Sequence, residues 1–519
     1  MGAENLLKPG LGTSGAFTIT VEYTVPDVAE PFADDLAKLA EFVGQDTRVA
    51  GMALTDRVPS LTTHDTVDLA VRAAAVSGKM PLVHISGKNR NQDNLREQLQ
   101  RLIDHGLQNA LMITGDEPRS ELEDPIILVP AGFTDSVQAI DFAKQTSPDL
   151  FVAGAVSSFK YSVAAQTMQY IKMQKKLDRG CDAIYNQVGL DMRKVHELIL
   201  FAQTQGIGAP IVQALYWPTA VLAKLALQDE LPGVVATEAM HEFLKGLSSD
   251  PDKGKGRRTR ILALQVALCR TWGYAGVHIG GIKSPANIKA VLDAADEMAA
   301  TRSGDQLWTQ WQELWKTPEG QPVATAPANG FYWFKPDGNG LNLREETSVD
   351  APAGASLKYR FMQAIHDVFF SGSMTNGGRM QRLCLCADRR RWLRGSMYRF
   401  ERACKYPLVQ CQGCGSCSLP ETAYVCVEAS CAKKLPNGPC GGSKVGDECE
   451  VRPGVTCAWV KIYRQAHHAG GMGKVAQSFI PAKNVALKHT CSWISMAANR
   501  DHRALGLPKP QTDDNPSNK

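Results

Sequence analysis

Residues 81–116 read PLVHISGKNRNQDNLREQLQRLIDHGLQNALMITGD, and two periodicities stand side by side in them. Residues 81–86 and 109–114 are short apolar, partly β-branched runs of strand length. Residues 94–105 between them carry amphipathic helical spacing. Two strands joined through a helix lie parallel, because parallel neighbours need a crossover connection. The same alternation extends in both directions. Further strands are expected at residues 17–22, 48–54, 150–156, 183–187, 210–214 and 276–279, which makes eight. Helical patterns at 33–43, 65–76, 136–144, 164–178 and 192–205 separate nearly all of them. Eight such units in about 300 residues match a (β/α)8 TIM barrel. A doubly wound open sheet is the alternative. Its glycine-rich turn after the first strand is missing, since Glu22 is followed by YTVPD.

The chain has 519 residues, 44% of them hydrophobic and 21% charged. That length exceeds one ordinary core, and the composition is that of a globular protein. No run approaches the roughly 18 apolar residues of a membrane span. The N-terminus has no basic segment followed by an apolar one, so a cytoplasmic location is expected. Charge is unevenly spread. Residues 381–519 hold 21 Lys and Arg against 10 Asp and Glu, a balance of +11 that leaves −7 for residues 1–380. Twelve of the 14 cysteines lie at or after Cys384. A dense cysteine block in a cytoplasmic protein points to metal rather than disulfides. The expected organisation is a barrel over 1–305 and a linker or wrapping segment over 306–356. A smaller cysteine-rich, metal-binding α+β domain follows over 357–505, then a disordered tail over 506–519. The aromatics Phe331, Tyr332, Trp333 and Phe334 imply that the wrapping segment packs on something.

The working end of such a barrel is the C-terminal end of its strands. Glu22, Thr55, Asp56, His84, Ser86, Asp116 and Gln187 fall there. Any one of them alone reads most simply as a helix cap or turn residue. In the second region Cys411, Cys414 and Cys417 form C-x2-C-x2-C, which lets three thiolates converge while Gly413 and Gly415 permit a tight backbone. Cys426, Cys431, Cys440, Cys449 and Cys457 bring the set to eight, enough for two four-cysteine centres. Zinc ribbons show two separated C-x2-C knuckles. The triplet is closer to an iron–sulfur pattern, with structural zinc as the competing reading. The run Arg389, Arg390, Arg391, Arg394, Arg399 and Arg402 suits an acidic electron carrier or a polyglutamate tail, or is simply a solvated helix face.

Three stretches taken together, ITVEYTVP at 19–26, the 81–116 segment ending in ITGD, and KMQKKLDRGCDAIYNQVGLD at 172–191, resemble the methylenetetrahydrofolate reductase family over roughly residues 15–300. That family consists of flavin-containing barrels. The resemblance implies interconversion of 5,10-methylenetetrahydrofolate and 5-methyltetrahydrofolate. Glu22 would be the general acid that opens the methylene-bridged ring. Asp116 would tune the flavin and favour the cationic iminium. Tetrahydrofolate would be held by Glu22, Asp116, Gln187, Tyr216 and His278. FAD, or alternatively FMN, would lie against Thr55, His84, Thr114, Gly115, Asp116 and Ala155. Lys172, Lys175 and Lys176 would meet its phosphates; the bland reading of these lysines is a solvated basic helix face. Burial would raise the Glu22 pKa and keep its proton near neutral pH.

The cysteine segment has its own resemblance. CxxCGxC, LPET, NGPCGG, CEV and CAWVKIY are similar to the C-terminal domain or partner subunit attached to some of these reductases. It implies up to two iron–sulfur clusters, or zinc retained for structure. Electrons would come from NAD(P)H or a separate electron-carrier protein, in a homo-oligomer. Two other function classes compete: a zinc-ribbon module binding nucleic acid or protein, and a folate-dependent methyltransferase. The acidic barrel and the lack of interleaved aromatic and basic residues argue against nucleic acid. No membrane partner is expected.

Overall fold

The computed structural model describes residues 2–13, 15–25, 34–56, 65–88, 90–115, 133–335, 340–342, 356–370 and 378–504. Eight parallel strands close into a barrel in chain order: β1 (Thr18–Tyr23), β2 (Val49–Leu54), β3 (Leu82–Ser86), β4 (Asn109–Ile113), β5 (Phe151–Val156), β6 (Ala183–Asn186), β7 (Ile211–Tyr216) and β8 (Gly276–Gly280). Pairing of β1 with β8 from Thr18–Gly276 to Val21–Ile279 makes the closure. All eight expected strands are present, with ends shifted by one or two residues.

The helix in the opening segment runs Gln92–Asp104, two residues earlier than its apolar spacing indicates. Asn91 is the reason. Its side chain accepts from the Asn94 amide while the Asn94 side chain accepts from the Asn91 amide, a reciprocal cap that starts the helix before its first buried leucine. Leu95, Leu99 and Leu102 then face the strands. Asp65 caps the helix Thr66–Ser77 more simply, its side chain accepting from the Val67 amide.

Strand alternation decides which side chains enter the barrel. Ala53, Leu82, Leu111, Phe151, Ala153, Ala183, Tyr185 and Val212 fill its interior together with Leu7 and Leu11 of the short helix Leu7–Gly12. Counting by twos toward the C-terminal ends leads from Ala53 to Thr55, from Leu82 to His84, from Ala153 to Ala155, from Tyr185 to Gln187 and from Val212 to Tyr216. Thr55, His84 and Gln187 thus share the interior-facing parity, above the apolar plug, whereas Asp56 has the opposite parity.

The wrapping segment packs on the barrel. Tyr332 donates to Asp191 at 2.7 Å and lies 3.8 Å beneath the Arg193 guanidinium, and the Trp333 amide donates to Glu197. Two compact units result, and they do not follow chain order: residues 1–349 with 438–460, and residues 350–437 with 461–519. The piece of the cysteine region around Cys440, Cys449 and Cys457 therefore belongs with the barrel. Among its described residues the second unit is helical, not α+β as expected. Helices Leu357–Phe369, Arg379–Asp388 and Arg391–Val409 dominate it, and Cys384, Ala387, Cys491, Ile494 and Ala497 form a small core. The cysteine, glycine and proline spacing there supplies no period-two alternation from which strands could form.

Candidate active site

Glu22 stands at the end of β1, next to β8. Its Oε2 is 3.1 Å from His278 Nε2, and His278 Nδ1 is 2.9 Å from Thr20 Oγ1. Thr20 and His278 are register partners, so the strand pairing itself places the imidazole between the two oxygens. Thr24 donates to Glu22 Oε1 at 3.3 Å. Burial pushes the Glu22 pKa up, but the hydrogen bond and charge of His278, with a smaller contribution from His84, outweigh it and leave it below the usual value. This reverses the sequence expectation of a raised pKa. The residue that reverses it comes from the last strand, 256 residues away, where neighbour effects are invisible in a linear reading.

His84 on β3 is buried, its Nε2 has no hydrogen-bond partner among the described residues, and burial followed by the His278 charge pushes its pKa down to about 4. Glu22, His84 and His278 together offer three ligand atoms within 4.8 Å of one another, a set that could also grip a cation. On β7, the other neighbour of β8, Tyr216 lies against the backbone after β8. A Cβ on Gly281, whose φ is +76°, would stand 2.3 Å from the Tyr216 ring, and one on Gly280 would stand 3.0 Å from Glu22 Oε1. Only glycine lets the ring approach Glu22 so closely.

The remaining expected residues divide. The Thr55 hydroxyl accepts from the Val25 amide at 2.9 Å and so ties down the chain after Glu22. The Gln187 amide donates to the Pro232 carbonyl and accepts from the Val188 amide. Thr114 donates to Ser136 at the start of the next helix. Gly115 has φ +85°, and a side chain there would strike Lys88 and Ser86. Asp116 lies outside the described residues. Asp56 is buried in an ion pair with Arg90 and accepts from the Ser86 amide, so it fixes the ends of β2 and β3.

Lys172, Lys175 and Lys176 on the helix Val163–Asp178 are all buried, which excludes a solvated basic face. Lys172 donates to Asp135 at 3.1 Å and to the Gly438 carbonyl at 3.3 Å, while Lys176 donates to the Ala155 carbonyl. Desolvation pushes Lys175 down to about 8 and Lys176 to about 7. Lys175 also lies 5.8 Å over the Trp459 ring. Residues 438–447 reach further along this rim. The Ser443 carbonyl accepts from buried Lys160 at 2.6 Å, Asp447 accepts from Ser162 at 2.6 Å, and Lys444 pairs with Asp229 at 2.8 Å. Sequence reasoning missed Lys160. It also missed the network in which Asn186 donates to Gln213 and Ser158 beneath the β5–β7 ends. Their signal was polar residues inside otherwise apolar strand ends.

A family model described as methylenetetrahydrofolate reductase matches residues 10–296, more than half of the chain. The chain belongs to the methylenetetrahydrofolate reductase family. It is an oxidoreductase of folate one-carbon chemistry, which sets aside the nucleic-acid module and the methyltransferase. A second model, methylene-tetrahydrofolate reductase C terminal, matches residues 394–486, so this reductase carries the expected fusion. No curated protein matches it. Among solved structures, an uncharacterized protein from Clostridium thermocellum that binds two copies of 5-methyl-5,6,7,8-tetrahydrofolic acid is 12% identical, with TM-score 0.41, covering 57% of this chain and 100% of that one. A 2,3-dimethylmalate lyase is 11% identical, with TM-score 0.32, covering 58% of this chain and 88% of that one. No helix among the described residues is long and apolar enough to cross a membrane.

The reductase's eight central cysteines are shared between its units. Cys411, Cys414, Cys417 and Cys426 line one cavity of the second unit, beside Lys405 and Lys483. Lys405 stands 3.4 Å from the Cys417 sulfur and Lys483 stands 3.4 Å from that of Cys414. Cys431 belongs to the same unit but does not line the cavity. Cys440, Cys449 and Cys457 lie in the barrel unit, where Cys440 and Cys457 are near enough to Lys160 to raise its pKa against burial.

Proposed function

We propose that the barrel interconverts 5,10-methylenetetrahydrofolate and 5-methyltetrahydrofolate with Glu22 as the proton-carrying acid, and that the Glu22–His278 contact is the observation on which this reading rests. A flavin bound at the mouth would supply the hydride for the methylene carbon. A fit for it is supported by the unpartnered buried Nε2 of His84 and by Lys175 and Lys176, whose buried amines gain from a phosphate. Opening the bridged ring to an iminium needs one proton at the departing nitrogen. Glu22 and His278 hold that proton between them, with Thr20 fixing the imidazole from behind. A carboxylate left at Glu22 then faces the iminium and stabilises its charge. Tyr216, which with Glu22 flanks Gly280, would offer a ring face for the pterin. By resemblance Asp116 acts on the flavin side of the same carbon, and Gln187 reads the pterin edge once its backbone contacts open.

The C-terminal cysteines would hold metal. The C-x2-C-x2-C triplet, which with Cys426 lines one cavity, favours an iron–sulfur cluster over structural zinc, and so electron delivery by a protein carrier rather than NAD(P)H.

Anaerobic purification is the test. The protein should be yellow, and 5-methyltetrahydrofolate should bleach its flavin. Glu22→Gln should slow that bleaching by about 10²–10⁴-fold, the usual worth of a general acid, while dye oxidation of the reduced flavin stays intact. Flavin-loaded protein that methyltetrahydrofolate cannot bleach would overturn the reading.

A further inference from the structure

Residues 438–460 are flanked on both sides by the second unit in sequence, yet they pack with the barrel. They land on the helix that carries the three buried lysines. The Gly438 carbonyl accepts from Lys172 at 3.3 Å, and a Cβ on Gly438 would stand 2.6 Å from the Lys172 side chain, so glycine alone lets the segment lie down there. Trp459 is 1% exposed and holds its ring 5.8 Å from the Lys175 amine. Between these ends the Ser443 carbonyl accepts from Lys160 and Asp447 accepts from Ser162, both at 2.6 Å. Ser162 is itself the cap of the lysine helix Val163–Asp178. At the rim Lys444 pairs with Asp229 at 2.8 Å.

What lies beneath is short of negative charge. Lys172, Lys175 and Lys176 are closed to solvent, and the buried carboxylate that faces them is Asp135, paired with Lys172. Enclosed cations are costly until an anion joins them. Polar atoms wait there as well. The Ser157 hydroxyl and the Gln169 amide nitrogen, 3% and 4% exposed by residue, have no partner among the described residues. Gln169 stands one turn before Lys172 and two turns before Lys176, on one side of the helix. Ser157 is the one neighbour that a Cβ on Gly441 would meet, at 4.0 Å, so the segment passes over that hydroxyl.

We infer that residues 438–459 are the lid of the flavin's phosphate site, so that flavin enters and leaves only when this segment lifts off the lysine helix. The inference rests on the flavin reading given above. With the segment down, the Gly438 carbonyl and the Trp459 ring stand against Lys172 and Lys175. A phosphate arriving from solvent has to displace these contacts. Once inside, its charge balances the amines, and the segment closes over it. The anchors at Lys160, Lys172 and Ser162 are hydrogen bonds to charged groups, each worth roughly tenfold or more in the balance between open and closed.

The test mixes flavin-stripped, full-length protein with FMN, and separately with FAD, and follows flavin fluorescence by stopped flow. The observed rate should level off as flavin concentration rises, because lid opening then limits it. Asp447→Ala removes the Ser162 anchor and should raise both that plateau and the dissociation rate about tenfold or more. Lys444→Asp breaks a partly exposed pair and should raise them by up to about fivefold. Lys444→Asp/Asp229→Lys restores the pair with reversed sign and should return both rates to within about twofold of native. Bound flavin should also slow amide exchange across residues 438–459. A rate that stays linear in flavin with one slope in every protein sinks the lid, as does flavin binding that leaves this exchange unaltered. Should Asp447→Ala fail to fold, the charge reversal decides by itself. Protein that binds neither FMN nor FAD strikes the flavin reading instead.

Discussion

His278 Nε2 lies 3.1 Å from Glu22 Oε2, and His278 is the strongest influence that opposes burial and leaves the carboxyl's pKa below its usual value. Without His278, burial is the dominant influence left and Glu22 rises. The sign is therefore fixed. In the native enzyme Glu22 loses its proton at a lower pH than an ordinary glutamate; in His278→Asn the loss moves to higher pH. With Glu22 as the proposed acid, reduction of methylenetetrahydrofolate needs its protonated form, so the rate should fall as pH climbs through that pKa. The falling limb of the single-turnover pH profile should shift upward in His278→Asn. The plateau rate should drop about tenfold or more, because the proton is then held more tightly than its transfer requires. A limb that stays in place would show that His278 has no hold on the acid.

Gly281 and Tyr216 make a second, steric claim. Alanine at 281 needs φ near +76° and places its Cβ 2.3 Å from the ring. Gly281→Ala should cost about 1–3 kcal/mol of stability through backbone strain alone. It should also push Tyr216 off Glu22 and raise the folate KM. Tyr216→Ala removes the obstacle, so the double variant should recover part of the lost stability. The stability effects of the two substitutions should thus be strongly non-additive in denaturant melts; simple additivity would mean that the ring does not occupy that place.

The barrel was legible because each strand and helix announces itself within a dozen residues. The Gln92–Asp104 helix was misplaced by two residues only because its start is set by the Asn91 cap and not by its leucines. The strand ends were legible too, since period two carries Leu82 to His84 and Tyr185 to Gln187 on one face. The rest depended on distances that chain order conceals. The pKa of Glu22 is decided by His278 across the barrel seam. The folding of residues 438–460 onto the barrel could not be read from a sequence in which they sit among the cysteines of the other unit. Lys160 is engaged by Ser443, 283 residues further on.

The division of the cysteines makes a prediction about metal. Cys414 and Cys417 line a cavity wholly within the second unit, whereas the proposed flavin half-reaction uses residues of the barrel unit. Cys414→Ser/Cys417→Ser should lose the iron of one centre by elemental analysis and the matching visible absorbance. Bleaching by 5-methyltetrahydrofolate should continue within about twofold, because the barrel keeps its own core. Equal loss of flavin and iron would mean that the metal centre supports the barrel.

The buried lysines supply the last test. In the flavin-free protein Lys176 sits at about 7 and Lys175 at about 8, both pushed down by burial. A flavin phosphate placed against them favours their charged forms, so each pKa rises when flavin binds. Binding then takes up protons between the free and bound values. Affinity should be greatest below pH 7 and should weaken as pH rises, by up to about tenfold per unit for each lysine so coupled. Lys176→Met removes one of these couplings. Its flavin Kd should be at least about tenfold weaker at pH 6.5, the worth of one charge-assisted hydrogen bond, and its pH slope should be shallower. Ultrafiltration of apoprotein titrated with FAD and with FMN at several pH values measures both quantities. A native Kd that is flat from pH 6 to 9 would remove the lysines from the phosphate site and leave their burial to be explained by the Gly438 and Ala155 carbonyls alone.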